Sequence, residues 1–247
     1  MPLHLDGLGN GQLVHAPLLD RRTFATGLIA GLARGLTVGA PASAQSAYLY
    51  PLKGDDGKRV VNYRLPSQLS VHDIPGVLWV GSRTPDVVIA KFFDFNCPYC
   101  HRAMADLARM MKRDKNLRVG LVNNAVLSPG SFLAARVQQS VMRLRGPRTA
   151  YAFTQRMLRR RGRKDGLVAL GEARKLGLSR ADVEKSADSD AVGRVLVRQM
   201  RLAQSLGFVA TPSFIVHGIG ILGYPGPRAM AKMVASIRKC DKPACPA

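Results

Sequence analysis

Cysteine, acidic residues and tryptophan are scarce in this chain. Its 247 residues include four cysteines, one tryptophan and 16 acidic residues against 37 lysines and arginines. A chain of this length can bury a core of ordinary size, so the four cysteines are not needed merely to staple a small domain together. From residue 45 onward, no apolar run approaches the roughly 20 residues that a membrane-spanning helix needs. With 47% hydrophobic residues, the composition predicts a soluble globular protein.

The first 44 residues have the features of an export signal. Arg21 and Arg22 precede a mostly apolar stretch, and residues 42–44 read Ala-Ser-Ala, the small-x-small pattern that signal peptidases cut. The arginine pair followed by Phe24 resembles a twin-arginine signal. A Sec-type signal and a cytosolic amphipathic N-terminus are the alternatives. We therefore expect residues 1–44 to be removed and the remaining chain to act as a soluble protein in the periplasm.

The formal net charge of +21 is concentrated in one segment. Residues 145–164 carry seven arginines and one lysine and no acidic residue. A solvated helix face is the plainest interpretation, and contact with anionic membrane lipid or an acidic partner is the alternative. Nucleic acid is not expected as a partner, because the chain is predicted to be exported and the segment lacks the aromatic platform on which single strands stack.

Hydrophobic periodicity divides the mature chain into a strand-rich frame and a helical block. The run "DVVIAKFF", from Asp86, is β-branched and apolar, as buried central strands are. A helix after Cys100 and a strand within 117–127 follow, and two strands around His217 and Gly218 precede a closing helix. The predicted segments are a lead-in over 45–85, β-α-β over 86–127, helices over 128–206, β-β-α over 207–239 and a tail over 240–247.

Cys97 and Cys100 lie at the predicted junction of that strand with a helix, in "FFDFNCPYCHR". A helix N-terminus directs its dipole and free N–H groups at Cys97 and stabilises a thiolate, which is the nucleophile in disulfide exchange. The two-residue spacing places Cys100 under Cys97, where it can resolve a mixed disulfide. Pro98 fits the first turn because that position needs no N–H partner. Zinc sites use the same spacing, so a metal site and a structural bridge are the alternatives.

This motif, together with "VATPSF" later in the chain, resembles the DsbA-like thiol–disulfide oxidoreductases of the bacterial envelope. The resemblance covers about residues 70 to 239. It implies an α/β thioredoxin-like fold, with a central mixed sheet flanked by helices and an inserted α-helical subdomain. It also implies a cis peptide bond between Thr211 and Pro212, beside the redox pair, where an extended substrate peptide can pair in strand fashion.

Four further residues are expected to tune the redox pair. Lys91 stands six positions before Cys97, where many members of the family have an acidic residue. Its ammonium either stabilises a nearby thiolate or reaches solvent along its aliphatic stem. Pro98 and Tyr99, between the cysteines, are expected to influence the potential. His101 is expected at the helix surface, where it would tune the electrostatic field around the thiols.

The remaining cysteines, Cys240 and Cys245, stand close together in "CDKPAC" at the end of the chain. In an oxidising compartment, a local disulfide between them is the first expectation. A second redox pair and two free thiols are the alternatives.

We therefore expect an exported thiol–disulfide oxidoreductase that works through Cys97 and Cys100, needs no cofactor or metal and forms disulfides. The expected partners are substrate proteins and a membrane redox partner that re-oxidises or reduces the pair. One alternative is a reductase or isomerase that uses residues 45–85 as a dimerisation arm. A non-enzymatic binding module and a copper or zinc binding protein are the others.

Overall fold

The computed structural model describes residues 47–246, so the predicted signal at 1–44 lies outside the described residues. Within the described part, a single mixed sheet has the strand order β1-β6-β5-β3-β4-β2. The strands are β1 (Asn62–Arg64), β2 (Leu78–Gly81), β3 (Val87–Phe93), β4 (Leu117–Asn123), β5 (Ser213–Val216) and β6 (Ile219–Leu222).

The two central strands have the apolar composition that burial on both faces requires. β3 and β4 pair in parallel along all seven residues of each strand. Helix α1 (Pro98–Arg113) connects them, because parallel neighbours need a crossover rather than a tight turn. Ile89 and Phe92 are both fully buried, and they belong to the two different core clusters that cover the two faces of β3.

β5 and β6 form the hairpin that was predicted around His217 and Gly218. β5 runs antiparallel to β3, and β6 runs antiparallel to β5. Both turn residues have positive φ, 48° and 74°, which gives a two-residue turn the twist that a tight hairpin needs. His217 Nε2 lies 2.9 Å from the carbonyl oxygen of Asp241, so the turn also contacts the end of the last helix.

The lead-in supplies both edge strands of the sheet, which the sequence analysis did not predict. β1 pairs with β6 and β2 pairs with β4, both antiparallel. Within the lead-in, an isolated antiparallel bridge joins Lys53 and Arg59 across the turn at 54–57. β2 was missed. Trp79 of β2 lies over Gly120 of β4, where a Cβ atom would come within 2.6 Å of the indole ring, so glycine is needed for this contact.

The expected helical block lies between β4 and β5. Its helices are α2 (Pro129–Arg159), α3 (Gly166–Arg174), α4 (Arg180–Ala187) and α5 (Asp190–Ser205). The side chains of Asp165, Ser179 and Ser189 cap the last three by accepting hydrogen bonds from backbone N–H groups. The break at Ser189, between α4 and α5, was not predicted. The closing helix α6 (Pro227–Cys240) includes Cys240, one residue into the predicted tail.

The larger core lies between the sheet, α1, α6 and the helical block, and it includes Cys97 and Cys100. Phe153 of α2 packs edge-on against Phe95, with 6.2 Å between the ring centroids, so the helical block shares its core with the loop before Cys97. Each such fully buried phenylalanine contributes about 2 to 3 kcal/mol through the apolar surface that it removes from water. No helix among residues 47–246 has the length and apolar character to cross a bilayer.

Candidate active site

The redox pair sits at the junction that the sequence predicted, where β3 leads into α1. Cys97 is the N-cap of α1 and Pro98 occupies the first turn. The backbone N–H of Cys97 donates to the carbonyl of Asp94, and that of Cys100 donates to the carbonyl of Cys97. These bonds wind the first turn tightly, so that the two cysteines face each other at the helix N-terminus. Both are free and buried.

The two thiols have opposite acidities. A hydrogen bond from the Cys100 thiol lowers the pKa of Cys97 to about 6, and the backbone N–H groups of Tyr99 and Cys100 act in the same direction against the effect of burial. The side chain of Thr211 also lowers this pKa by hydrogen bonding to the sulfur. The carbonyl oxygen of Thr211, 3.0 Å from Cys97 Sγ, can accept only from the protonated thiol, so this contact opposes ionisation, and the donors outweigh it.

Cys100 stays protonated. Burial raises the pKa of its thiol far above its ordinary range, and the neighbouring Cys97 raises it further. Cys100 is fully buried, whereas 3% of Cys97 is exposed. The arrangement therefore holds one ionised sulfur that can act as a nucleophile and one protonated sulfur behind it that can resolve a mixed disulfide.

The peptide bond between Thr211 and Pro212 is cis and lies beside Cys97. It directly precedes β5, so the antiparallel pairing of β5 with β3 brings it to the sheet end from which α1 begins. The carbonyl oxygen of Thr211 contacts Cys97 Sγ. The structure thus brings together the two motifs that the sequence analysis quoted.

Lys91 lies in the middle of β3, and its side chain is fully buried. Its Nζ donates to the carbonyl oxygen of Cys100 over 2.8 Å. Of the two alternatives weighed from sequence, the one in which the ammonium reaches solvent is wrong, because the side chain extends under α1 rather than toward the surface. The ammonium is close enough to the two sulfurs that each affects its protonation.

His101 does not lie on the helix surface as expected. It is half-buried, and its Nε2 lies 3.3 Å from the carbonyl oxygen of Phe95 and 3.0 Å from Nζ of Lys164. Burial lowers its pKa, and the nearby charge of Lys164 acts in the same direction. The contact arises because the helical block returns Lys164 to this loop. Tyr99 is 57% exposed, and Arg102 lies over its ring at 5.5 Å.

Asp94 and Asn96 hold the loop before Cys97, and the sequence analysis assigned them no role. The buried carboxylate of Asp94 accepts from the backbone N–H groups of Asn96 and Leu127 and from the hydroxyl of Ser131. The amide of Asn96 bonds both the N–H and the carbonyl of Lys164. A weak signal was present in the sequence, since two short polar side chains between a buried strand and a helix commonly bond nearby backbone.

Cys240 and Cys245 are joined by a disulfide in the structure, with their Cα atoms 5.9 Å apart. The bridge ties the tail to the last turn of α6. Within residues 47–246, no cluster of three or more histidine, cysteine or acidic side chains is arranged to hold a metal ion.

Comparison with known proteins places this site in a family. A thioredoxin family model matches residues 74–235. The chain belongs to the thioredoxin family. A thioredoxin-like oxidoreductase from Silicibacter pomeroyi DSS-3 is 28% identical to it, with a TM-score of 0.64, and the match covers 70% of this chain and 99% of that one. No curated protein sequence matches the chain.

More distant members of the fold include proteins of the DsbA type. The thiol-disulfide exchange protein alpha-DsbA2 from Wolbachia pipientis is 18% identical, with a TM-score of 0.62, over 68% of this chain and 89% of that one. BdbD from Bacillus subtilis is 18% identical, with a TM-score of 0.60, over 68% and 95%. The predicted thioredoxin-like fold is confirmed, and this thioredoxin-family chain is a thiol–disulfide oxidoreductase, as its motifs predicted.

Proposed function

We propose that this chain is an exported oxidant that forms disulfides in substrate proteins. The observation that carries the proposal is the opposite acidity of the two active-site thiols. A thiolate at Cys97 stabilises the reduced protein, and a stabilised reduced form makes the disulfide a stronger oxidant. Lowering the pKa of Cys97 to about 6 favours the reduced state by roughly 1 kcal/mol at pH 7, where only the part of the shift that lies below the pH counts, after allowance for solvent screening at the sulfur.

The proposed cycle starts from the Cys97–Cys100 disulfide. A substrate thiolate attacks Sγ of Cys97, the bond between the two cysteines breaks, and Cys100 leaves and gains a proton. A second thiolate of the substrate then attacks the substrate sulfur of the mixed disulfide, and Cys97 leaves as a thiolate. The substrate loses two electrons and gains a disulfide, and the protein is left with a thiolate at Cys97 and a thiol at Cys100.

Substrate binding is assigned to Thr211 and Pro212. The backbone of Thr211 lies against Cys97 Sγ, so an extended substrate segment that pairs with this backbone would present its cysteine to Cys97. Exposed apolar side chains adjoin this position on both motifs, since Tyr99 is 57% exposed and Val209 is 86% exposed. An unfolded substrate segment offers the apolar side chains that such a surface would cover.

The alternative of a dimeric isomerase is less well supported. It required residues 45–85 to extend as a dimerisation arm. The described part of that segment instead pairs with the sheet through β1 and β2. A lead-in built into both sheet edges favours an oxidant that works without such an arm.

Localisation and partners complete the proposal. The signal at residues 1–44 would direct the chain to the periplasm. Because each catalytic cycle leaves the pair reduced, two electrons must be removed from it, and we assign this step to a membrane redox partner. The basic segment 145–164 would bring the protein to an anionic membrane surface.

The redox equilibrium of residues 45–247 with glutathione tests the function. Cys240 and Cys245 are both replaced by serine, so that only Cys97 and Cys100 exchange. We expect a potential near or above about −150 mV, in the range of strong thiol oxidants. A potential below about −220 mV would instead indicate a reductase or isomerase. The absence of any reversible two-electron transition would contradict the enzyme itself.

A further inference from the structure

Lys91 is a lysine in the core of the protein. It is fully buried, and its neighbours in register on β4 and β5 are Leu121 and Phe214. Its Nζ donates to one carbonyl oxygen, that of Cys100. The ring of Phe93 lies 5.7 Å away and presents the ammonium with a weak attractive contact.

No carboxylate neutralises this ammonium. Among the ion pairs formed within residues 47–246, none includes Lys91. Its titratable neighbours are Cys97, the N-cap of α1, and Cys100 and His101 in the first turns of that helix. A buried ammonium without a counter-ion is costly, and lysine commonly responds by losing its proton. Only the cysteines can provide a negative charge here, and they do so only when they are reduced.

We infer that Lys91 carries a proton that is linked to the redox state of Cys97 and Cys100. The inference rests on the proposed function. Lys91 is an ammonium when Cys97 is a thiolate, and it becomes a neutral amine when the two cysteines form their disulfide. It is a positioning residue, since it acts through its charge on the reacting sulfurs rather than by contact with substrate.

The linked step balances in electrons and protons. A substrate dithiol gives up two electrons and two protons as its disulfide forms. The electrons break the Cys97–Cys100 bond. One proton is taken by Cys100, whose thiolate is the first leaving group, and the other is taken by Lys91 as Cys97 is left ionised. Both protons are therefore accepted inside the protein, next to the sulfurs where charge develops.

The acidity of Lys91 agrees with this assignment. Burial lowers its pKa to about 8, while the neighbouring sulfurs of Cys100 and Cys97 oppose that decrease. In the reduced protein the negative charge lies on Cys97, because Cys100 stays protonated. Disulfide formation removes this charge, so the pKa of Lys91 falls further in the oxidised protein. At a pH between the pKa of Lys91 in the oxidised protein and its pKa of about 8 in the reduced protein, reduction binds a proton at Lys91 and oxidation releases it.

The number of protons released on oxidation tests the inference. The reduced protein, with serine at 240 and 245, is oxidised near pH 7 by two equivalents of ferricyanide, which accepts electrons but no protons at that pH. A pH indicator counts the protons released. Any Cys97 that is still protonated before oxidation also releases a proton, so its fraction is measured from the thiolate absorbance and subtracted from the count. We expect about two protons from wild type and about one from Lys91→Met.

Two further variants control the count. Lys112→Met removes an exposed lysine from the same helix as the cysteines, and we expect it to release about two protons, like wild type. Lys91→Arg keeps the positive charge but does not lose its proton. It should therefore keep the pKa of Cys97 low and release about one proton, like Lys91→Met. Equal counts from wild type and Lys91→Met would overturn the inference. Failure of the proposed function is distinct, because the glutathione equilibrium would then give a potential below about −220 mV or no reversible transition, whatever the proton counts of the variants.

Discussion

Asn96 joins the loop before Cys97 to the helical block. Its amide donates to the hydroxyl of Ser131 and to the carbonyl of Lys164, and its carbonyl accepts from the N–H of Lys164, each over 2.8 Å. With the two bonds to Lys164, one side-chain amide pairs with both backbone polar groups of that residue, as a neighbouring strand would. They hold a segment more than sixty residues away against the redox site, so one residue connects two parts of the fold.

Replacing Asn96 with alanine should therefore destabilise the protein. The N–H and carbonyl of Lys164 would lose their partners in a partly buried position, which costs about 2 to 4 kcal/mol in the free energy of unfolding. Urea denaturation measures this change. The matched control is Asn116→Ala, at an exposed position where no side-chain hydrogen bond is formed within the described chain. We expect that change to cost less than about 0.5 kcal/mol, and equal costs would refute the role of Asn96.

Local motifs predicted where the cysteine pair lies but not the residues that support it. The positions of Cys97, Cys100 and Pro98 at a helix N-terminus were predictable because a buried strand leads directly into this motif and Pro98 suits a first turn. The bonds of Asn96 to Lys164 depend on how the helical block folds back, and no local pattern contains that information. Lys91 illustrates the same limit, since its position in the strand was clear but its burial depends on the packing of α1.

Gly146 divides α2 into two helical halves. Its φ of 76° and ψ of 178° lie in a region that only glycine adopts readily, and Pro147 begins the second half of the helix. Gly171 stands inside α3 with ordinary helical geometry. A Cβ atom would meet nothing within 4 Å at either position, so a side chain fits at both, and the two glycines differ only in backbone conformation.

The same substitution should therefore have opposite effects at these two glycines. Gly146→Ala is expected to lower the free energy of unfolding by about 1 to 3 kcal/mol, because alanine disfavours this backbone conformation. Gly171→Ala should raise it by up to about 1 kcal/mol, because alanine favours the helix. Thermal or urea unfolding of the two variants gives the signs. Destabilisation by Gly171→Ala would show that packing, rather than backbone conformation, determines the effect of alanine on the free energy of unfolding at this position.

Periodicity predicted the long elements, and the shortest were missed. β3, β4 and α1 are long enough for their own patterns to identify them. β2 spans four residues, and its extended conformation is stabilised by pairing with β4 rather than by its composition. Only Asp188 and Ser189 separate α4 from α5, so no glycine or proline marks the break that Ser189 caps.

At the scale of the whole molecule, the excess of positive charge is not evenly neutralised. Residues 1–44 account for +1 of the formal +21, so residues 45–247 carry +20. Glu172 pairs with Arg156 and Arg160 at the end of α2. Arg159, Arg161 and Arg163 are exposed, and they form no ion pair within residues 47–246. We call these three arginines, which lie at the end of α2 and in the loop after it, the basic loop. The loop leads to Lys164, whose backbone N–H donates to Asn96 beside Cys97.

The basic loop should direct the protein to anionic membrane surfaces. Each arginine near such a surface contributes about 1 kcal/mol. We therefore expect the triple change to glutamine at Arg159, Arg161 and Arg163 to weaken binding to phosphatidylglycerol vesicles by roughly 10- to 100-fold at low salt. Co-sedimentation with vesicles measures the affinity, and neutral phosphatidylcholine vesicles should bind neither protein.

A second triple variant separates local charge from total charge. Changing Arg194, Arg198 and Arg201 of α5 to glutamine removes the same number of exposed charges from another helix. If the basic loop forms the contact, this variant should lose less than about threefold in affinity. Equal losses in the two triples would mean that net charge alone drives binding, because a field summed over the whole surface does not distinguish where its charges lie. The solvated-face interpretation of residues 145–164 would then hold.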